Sequence, residues 1–169
     1  SVKIPVTNTK GEFTGSIIKE LSAAGIQLNI TAVFTSMQVR AIAENLSYGT
    51  PAIVSVFAGR IADTGRDPLP IMSECVEILK NLPKTELLWA SPRELLNIIQ
   101  ADEIGCHIIT ATPDVLGKLK LLEKDLSEFS METVQMFFND ASTAGYTINT
   151  QGIIRKNPIT ERKEDDTKI

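Results

Sequence analysis

Five short apolar runs separated by helix-period segments restrict this chain more than any other feature. The runs fall at residues 2–6, 28–34, 52–57, 86–90 and 106–111, each rich in apolar or β-branched side chains and followed by a turn-like stretch. Between and after them, apolar residues recur every three to four positions: Phe13, Ile17, Leu21 and Ala24; Met72, Cys75, Val76 and Leu79; Val115, Leu116, Leu119 and Leu122. A last helix over about 131–143 places Val134, Phe137, Phe138 and Ala141 on one broad face. The predicted order is β-α-β-α-β-α-β-α-β-α-α. Strict alternation implies a parallel sheet with right-handed crossovers. Two architectures satisfy it, an open doubly wound sheet and a section of a (β/α)8 barrel. A complete barrel takes at least about 200 residues, and this chain has 169. Spacing alone therefore favours the open sheet.

Helix boundaries are marked by local chemistry. In Ser91-Pro92-Arg93-Glu94, Ser is placed as an N-cap, Pro as the first helical residue and Glu three after the cap, which predicts a capping box. Thr112-Pro113-Asp114 opens a helix in a similar way, and Gly25 suits the left-handed residue that closes one.

Composition narrows the function classes. The chain is 43% hydrophobic with a net charge of −4, enough core material for a globular domain and a poor footprint for nucleic acid. No run approaches the roughly 18 apolar residues of a membrane span. The two cysteines, Cys75 and Cys106, do not make a disulfide framework, so a reducing, cytoplasmic setting is expected. The opening Ser1-Val2-Lys3-Ile4-Pro5 does not read as a signal peptide, and the lack of an initiator Met implies processing or a longer parent chain. Residues 155–169 hold nine charged residues in fifteen and are expected to form a flexible tail. The expected organisation is one domain portion over 1–145 and a polar tail over 146–169.

Polar side chains inside otherwise apolar strands are the candidates for chemistry. Alternation sends Val2, Ile4 and Val6 to one face and Lys3 and Pro5 to the other. A lysine taken out of water loses its proton more readily, and the neutral amine attacks carbonyls to form a Schiff base. The plain alternative is a solvated lysine. In the second strand Asn29 and Thr31 share a face opposite Leu28, Ile30 and Ala32; they are suited to a substrate hydroxyl and a water, or to bonding each other. In the third, Ser55 and Phe57 share a face and Arg60 follows the strand's carboxyl end, where ligands of parallel α/β folds bind. Arg60 suits a phosphate, or else an ion pair with Asp63 or Asp67. Ser91 is both a cap and a candidate anion contact. The single histidine, His107, has no nucleophile motif with it, and no Cys or His spacing matches a metal site. Cys75 lies on an apolar stripe and reads as core.

Taken together, these segments resemble the transaldolase family. Val2-Lys3-Ile4-Pro5-Val6-Thr7 is similar to its Schiff-base lysine strand, commonly K-I-P-x-T in short members. Gly25 to Phe34 is similar to G-I-x-x-N-x-T-x-x-F, and Ser55-Val56-Phe57-Ala58-Gly59-Arg60-Ile61 to S-P-F-x-G-R-I, with Val56 where Pro is common. Ala90-Ser91 and Gly105 to Thr110 fall where the last two strands fall. Trp89 is a bulky departure, expected on the face of Ser91, where it narrows the site or fills the barrel.

The resemblance implies a (β/α)8 barrel of which this chain supplies strands 4–8 and the C-terminal helices, reversing the preference from spacing. The family's first-strand Asp and third-strand Glu or Gln would then lie upstream, so this chain alone lacks part of the machinery. The resemblance assigns Lys3 as the Schiff-base nucleophile and Thr31 as holder of the catalytic water. Asn29, Ser55, Phe57 and Arg60 are its substrate contacts, with Ser55 and Arg60 on the phosphate, and Ser91 joins them as a substrate contact from its place at the end of the fourth strand. The implied reaction moves a dihydroxyacetone unit between ketose and aldose phosphates, in pentose phosphate metabolism, with no metal or organic cofactor. A homo-oligomer built through the C-terminal helix is implied, with no nucleic-acid or membrane partner. Fructose-6-phosphate aldolases of the same superfamily tend to carry Tyr where this sequence has Phe57, so transfer is expected over aldol cleavage. The alternatives are such an aldolase, or a non-catalytic βα interaction module if the chain is complete.

Overall fold

The computed structural model describes residues 1–147 and Asn149; the expected tail over 155–169 lies outside the described residues. Strands β1 (Val2–Pro5), β2 (Leu28–Val33), β3 (Ala52–Val56), β4 (Thr85–Trp89) and β5 (Ile108–Ile109) form one parallel sheet in the order β1-β2-β3-β4-β5. Helices α1 (Gly15–Ala23), α2 (Ser36–Ala43), α3 (Ala58–Ala62), α4 (Leu69–Leu79), α5 (Leu96–Glu103) and α6 (Pro113–Gly117) alternate with the strands. The chain divides into two compact units, Ser1–Leu122, which holds the sheet, and Glu123–Ile169, which holds α7 (Leu126–Thr143).

The strand order decides between the two architectures. A doubly wound sheet reverses direction part-way so that helices cover both faces. Here every crossover steps to the next strand on the same side. Right-handed crossovers that always advance in one direction leave all their helices on one face. Burial agrees. Ile4, Ile30, Val54 and Leu87 are buried in one core with Ile18, Val39, Ile42, Met72 and Cys75 from the helices. On the other face Lys3, Pro5 and Glu86 are exposed, and Asn29, Thr31 and Ile53 are half-buried. The open doubly wound sheet expected from spacing is therefore replaced by an arc of singly wound βα units, as in a (β/α)8 barrel.

Several local expectations are corrected. Between β2 and β3 the register shifts after Ile30, so that Val33 instead of Ala32 aligns with Val56. Ala32 sits at the bulge with φ 59° and is exposed, while Val33 takes the buried face. Ser91 does not cap a helix. It has φ 58°, and α5 starts only at Leu96, where Asn97 Oδ1 accepts from the backbone N–H groups of Arg93 and Glu94 at 2.8 and 3.0 Å. Strand β5 is shorter than expected because side chains replace part of its ladder. His107 Nδ1 accepts from Leu87 N–H at 3.1 Å, and the Cys106 thiol lies 3.4 Å from the Leu87 carbonyl. The stripe Leu116, Leu119 and Leu122 is not buried, because α6 passes into a 3-10 turn at Lys118–Leu121 and the helical face is lost.

The signals at Gly25 and Thr112 act as expected. Gly25, at φ 78°, closes α1 with its N–H on Ser22 O and the N–H of Ile26 on Leu21 O. Thr112 caps α6 through Val115 N–H, with Pro113 in the first turn. Helix α7 begins at Leu126, earlier than the expected 131, because Asp125 accepts from the N–H groups of Ser127 and Glu128, both at 2.9 Å. Its Phe137 and Phe138 are 62% and 65% exposed. Among the described residues no helix is long and apolar enough to cross a membrane.

Candidate active site

The face opposite the helices carries the strand residues singled out above. Lys3 is register-paired with Asn29 and Pro5 with Thr31, so side chains on these rungs lie on adjacent strands about 4.8 Å apart. One strand further, Ser55 is buried and donates its hydroxyl hydrogen to Asn29 Oδ1 at 2.8 Å. Asn29 therefore bonds Ser55 and not Thr31. That bond orients the Asn29 amide and leaves its Nδ2–H groups as donors toward the open face. It also uses the only proton Ser55 has, so a phosphate would gain it by displacing Asn29 as the acceptor. Lys3 is exposed on this face.

An aromatic ledge lies just past the carboxyl ends of β2 and β3. The rings of Phe34 and Phe57 stack with centroids 5.7 Å apart and an interplanar angle of 7°. The Arg60 guanidinium lies over Phe57, 5.1 Å from the ring centroid. Local sequence explains the ledge. Thr35 caps α2 by accepting from Gln38 N–H, while Gln38 Oε1 accepts from the N–H groups of Phe34 at 2.8 Å and Thr35 at 3.1 Å. This capping box, T-x-x-Q in sequence, pins Phe34 where β2 ends. On the other strand, Phe57 N–H donates to Val33 O at 2.8 Å.

The ion pairs considered for Arg60 are not made. Asp63 accepts from Arg93 Nε at 3.1 Å and also pairs with its terminal nitrogen. Asp67 accepts from Leu69 N–H at 2.9 Å at the start of α4. Among the described residues Arg60 has no carboxylate partner, and its exposed guanidinium is available to an anion.

Ser91 and Trp89 take positions the strand pattern did not predict. Trp89 pairs with Val56 and is fully buried in the helix-facing core, so it neither narrows the open face nor fills it. The left-handed residue Ser91 turns the chain out of the strand, and its carbonyl packs on the backbone of Gly59. The need for glycine at residue 59 is not encoded locally, because the residue that crowds it is 32 positions away. His107 acts as a backbone acceptor in the sheet. Among the described residues no group of three or more His, Cys, Asp or Glu is placed to hold a metal ion.

A one-sided parallel arc with lysine, asparagine and serine on its bare face and an arginine at its carboxyl rim defines an α/β chain of the (β/α)8-barrel class. The Transaldolase/Fructose-6-phosphate aldolase family profile matches residues 1–166, and the chain belongs to this family. A probable transaldolase of Nitrosopumilus maritimus is 35% identical over 116 residues, 68% of this chain and 50% of that protein. One from Caldicellulosiruptor saccharolyticus is 34% identical over 120 residues, 70% of this chain and 52% of that protein. A third, from Thermoanaerobacter, is 32% identical over 148 residues, 87% of this chain and 62% of its own length. The chain thus spans about half the length of the first two relatives.

Proposed function

We propose that this chain supplies the Schiff-base lysine and part of the sugar-phosphate site of a transaldolase, working in the cytoplasm in pentose phosphate metabolism. The observation that carries this reading is the connected set on one face: Lys3 beside Asn29, Asn29 bonded to Ser55, and Arg60 held over Phe57 at the strand ends. The neutral Lys3 amine attacks the ketose carbonyl, and loss of water gives an iminium. The iminium accepts the electron pair of the breaking carbon–carbon bond, releasing an aldose and leaving an enamine of dihydroxyacetone. The enamine then attacks the aldehyde of an acceptor aldose, and water releases the new ketose.

Asn29 Nδ2 serves a substrate hydroxyl, Thr31 the water, and Ser55, Arg60 and Ser91 the phosphate. Phe57 brings a ring without a hydroxyl to the rim, which favours transfer over release of free dihydroxyacetone. The exposed apolar face of α7 supports assembly into a homo-oligomer.

Borohydride reduction in the presence of a ketose phosphate tests the central step. In the full-length protein a stable added mass is expected on the peptide containing Lys3, and Lys3→Met abolishes it. Labelling of a different lysine in an active sample overturns the assignment.

A further inference from the structure

The aromatic ledge is a chain of contacts that starts in the core and ends at Arg60. Phe34 is half-buried and packs against the buried cluster shared by the sheet and the helices. Its backbone N–H donates to Gln38 Oε1 at 2.8 Å, and the Thr35 N–H donates to the same oxygen at 3.1 Å. Packing therefore fixes the Phe34 ring, and the capping box fixes its main chain. Phe57 immediately precedes α3, and its N–H is tied to Val33 O at 2.8 Å. Its ring lies within 7° of parallel to that of Phe34, an offset pair that holds the tilt of one ring against the other. Three residues on, the exposed Arg60 places its guanidinium 5.1 Å from the Phe57 centroid.

What holds Arg60 decides what it can bind. A carboxylate partner would compete with a phosphate for the same N–H groups. Asp63, which closes α3, pairs with Arg93 instead. The face of an aromatic ring attracts the cation through its quadrupole and leaves the forked N–H groups free for an anion. Without such a platform an exposed arginine samples many rotamers, and ordering it at the moment of binding weakens affinity. The platform works only while the Phe57 ring keeps its orientation, and Phe34 is the neighbour that ties that ring to the core.

We propose that Phe34 is a positioning residue for phosphate recognition: through its stack on Phe57 it sets where the Arg60 guanidinium stands. Phe34 acts through Phe57 and not on the substrate itself. The inference rests on the assignment of Arg60 to the sugar phosphate, and its test separates the two.

In the full-length protein the inhibition constant of inorganic phosphate is measured against fructose 6-phosphate as donor, with an aldose phosphate acceptor at saturation. Phe34→Leu keeps an apolar side chain and removes the flat ring. It is expected to raise the phosphate inhibition constant and the donor KM together by about five- to tenfold, the scale of one aromatic pair, while kcat falls less than about twofold. Phe34→Tyr, which keeps the ring, restores both constants. In an Arg60→Ala background Phe34→Leu changes neither constant further, because its effect passes through the guanidinium. Gln38→Ala frees the Phe34 main chain, leaves its ring, and raises the inhibition constant about threefold through the lost acceptor; it carries the test where Phe34→Leu fails to fold. An inhibition constant raised by Arg60→Ala but unchanged by Phe34→Leu or Gln38→Ala overturns the positioning role alone. So does an equal loss from Phe34→Leu with and without Arg60. An inhibition constant unchanged by Arg60→Ala overturns the phosphate assignment and this inference with it.

Discussion

Gly59 and Ser91 touch backbone to backbone: a Cβ built on Gly59 would lie 1.4 Å from the carbonyl oxygen of Ser91. The Gly59 N–H donates to Ala90 O at 3.2 Å in the same contact. This junction joins the start of α3, which carries Arg60, to the exit of β4. Any side chain at residue 59 forces the two backbones apart.

Gly59→Ala should therefore destabilise the protein by about 1–3 kcal/mol, the usual range for overpacking. Gly49, whose built Cβ meets nothing within 4 Å, is the control. Gly49→Ala should stay within about 0.5 kcal/mol of the parent. Urea unfolding of both variants checks the pair, and equal losses would contradict the geometry.

Arg60→Ala should reduce kcat/KM for phosphorylated sugars by an amount equivalent to about 2–5 kcal/mol, with little change for unphosphorylated ones. Arg60→Lys should recover only part of this, because an ammonium cannot make the forked contact of a guanidinium. Equal loss for both substrate classes would assign Arg60 to holding Phe57 instead.

Phe57→Tyr tests the balance between transfer and aldol cleavage. A hydroxyl at the ledge is expected to order water near the enamine and raise release of free dihydroxyacetone about tenfold, the scale of one hydrogen bond of 0.5–1.5 kcal/mol. Donor turnover is measured with and without an acceptor aldose phosphate. An unchanged partition would remove the role given to this ring.

Burial pushes the Cys75 thiol from its ordinary value of 9.0 up to about 12, with Glu74 and Cys106 adding to the effect. The fold holds the protonated form. The stability tied to it is complete below about pH 9 and falls as pH rises from there toward 12, by at most about 1.4 kcal/mol per pH unit. Cys75→Ala should cost packing at neutral pH yet flatten the alkaline slope. Unfolding free energies measured between pH 8 and pH 11 by urea titration check this, and parallel slopes for parent and variant would exclude it.

Local patterns in the chain were enough to place the five strands, the faces of Lys3 and Asn29, and the caps at Gly25 and Thr112. Each depends on side-chain alternation or on bonds within a few residues. The motifs around Lys3, Asn29 and Arg60 likewise carry the family resemblance by their residues and spacing. Other features depended on residues far apart in sequence. The one-directional strand order followed from where each crossover packed, which periodicity does not encode. The bulge at Ala32 moved Val33 to the core because β3 aligned with it. Trp89 faced the helices because Val56 did, and Ser91 left the strand to pack on Gly59. The bond from Ser55 to Asn29, the stack of Phe34 on Phe57 and the pairing of Asp63 with Arg93, which leaves Arg60 free, were likewise contacts between separate βα units. A sequence specifies such contacts only through the complete packing of the sheet, so tertiary structure alone decided them.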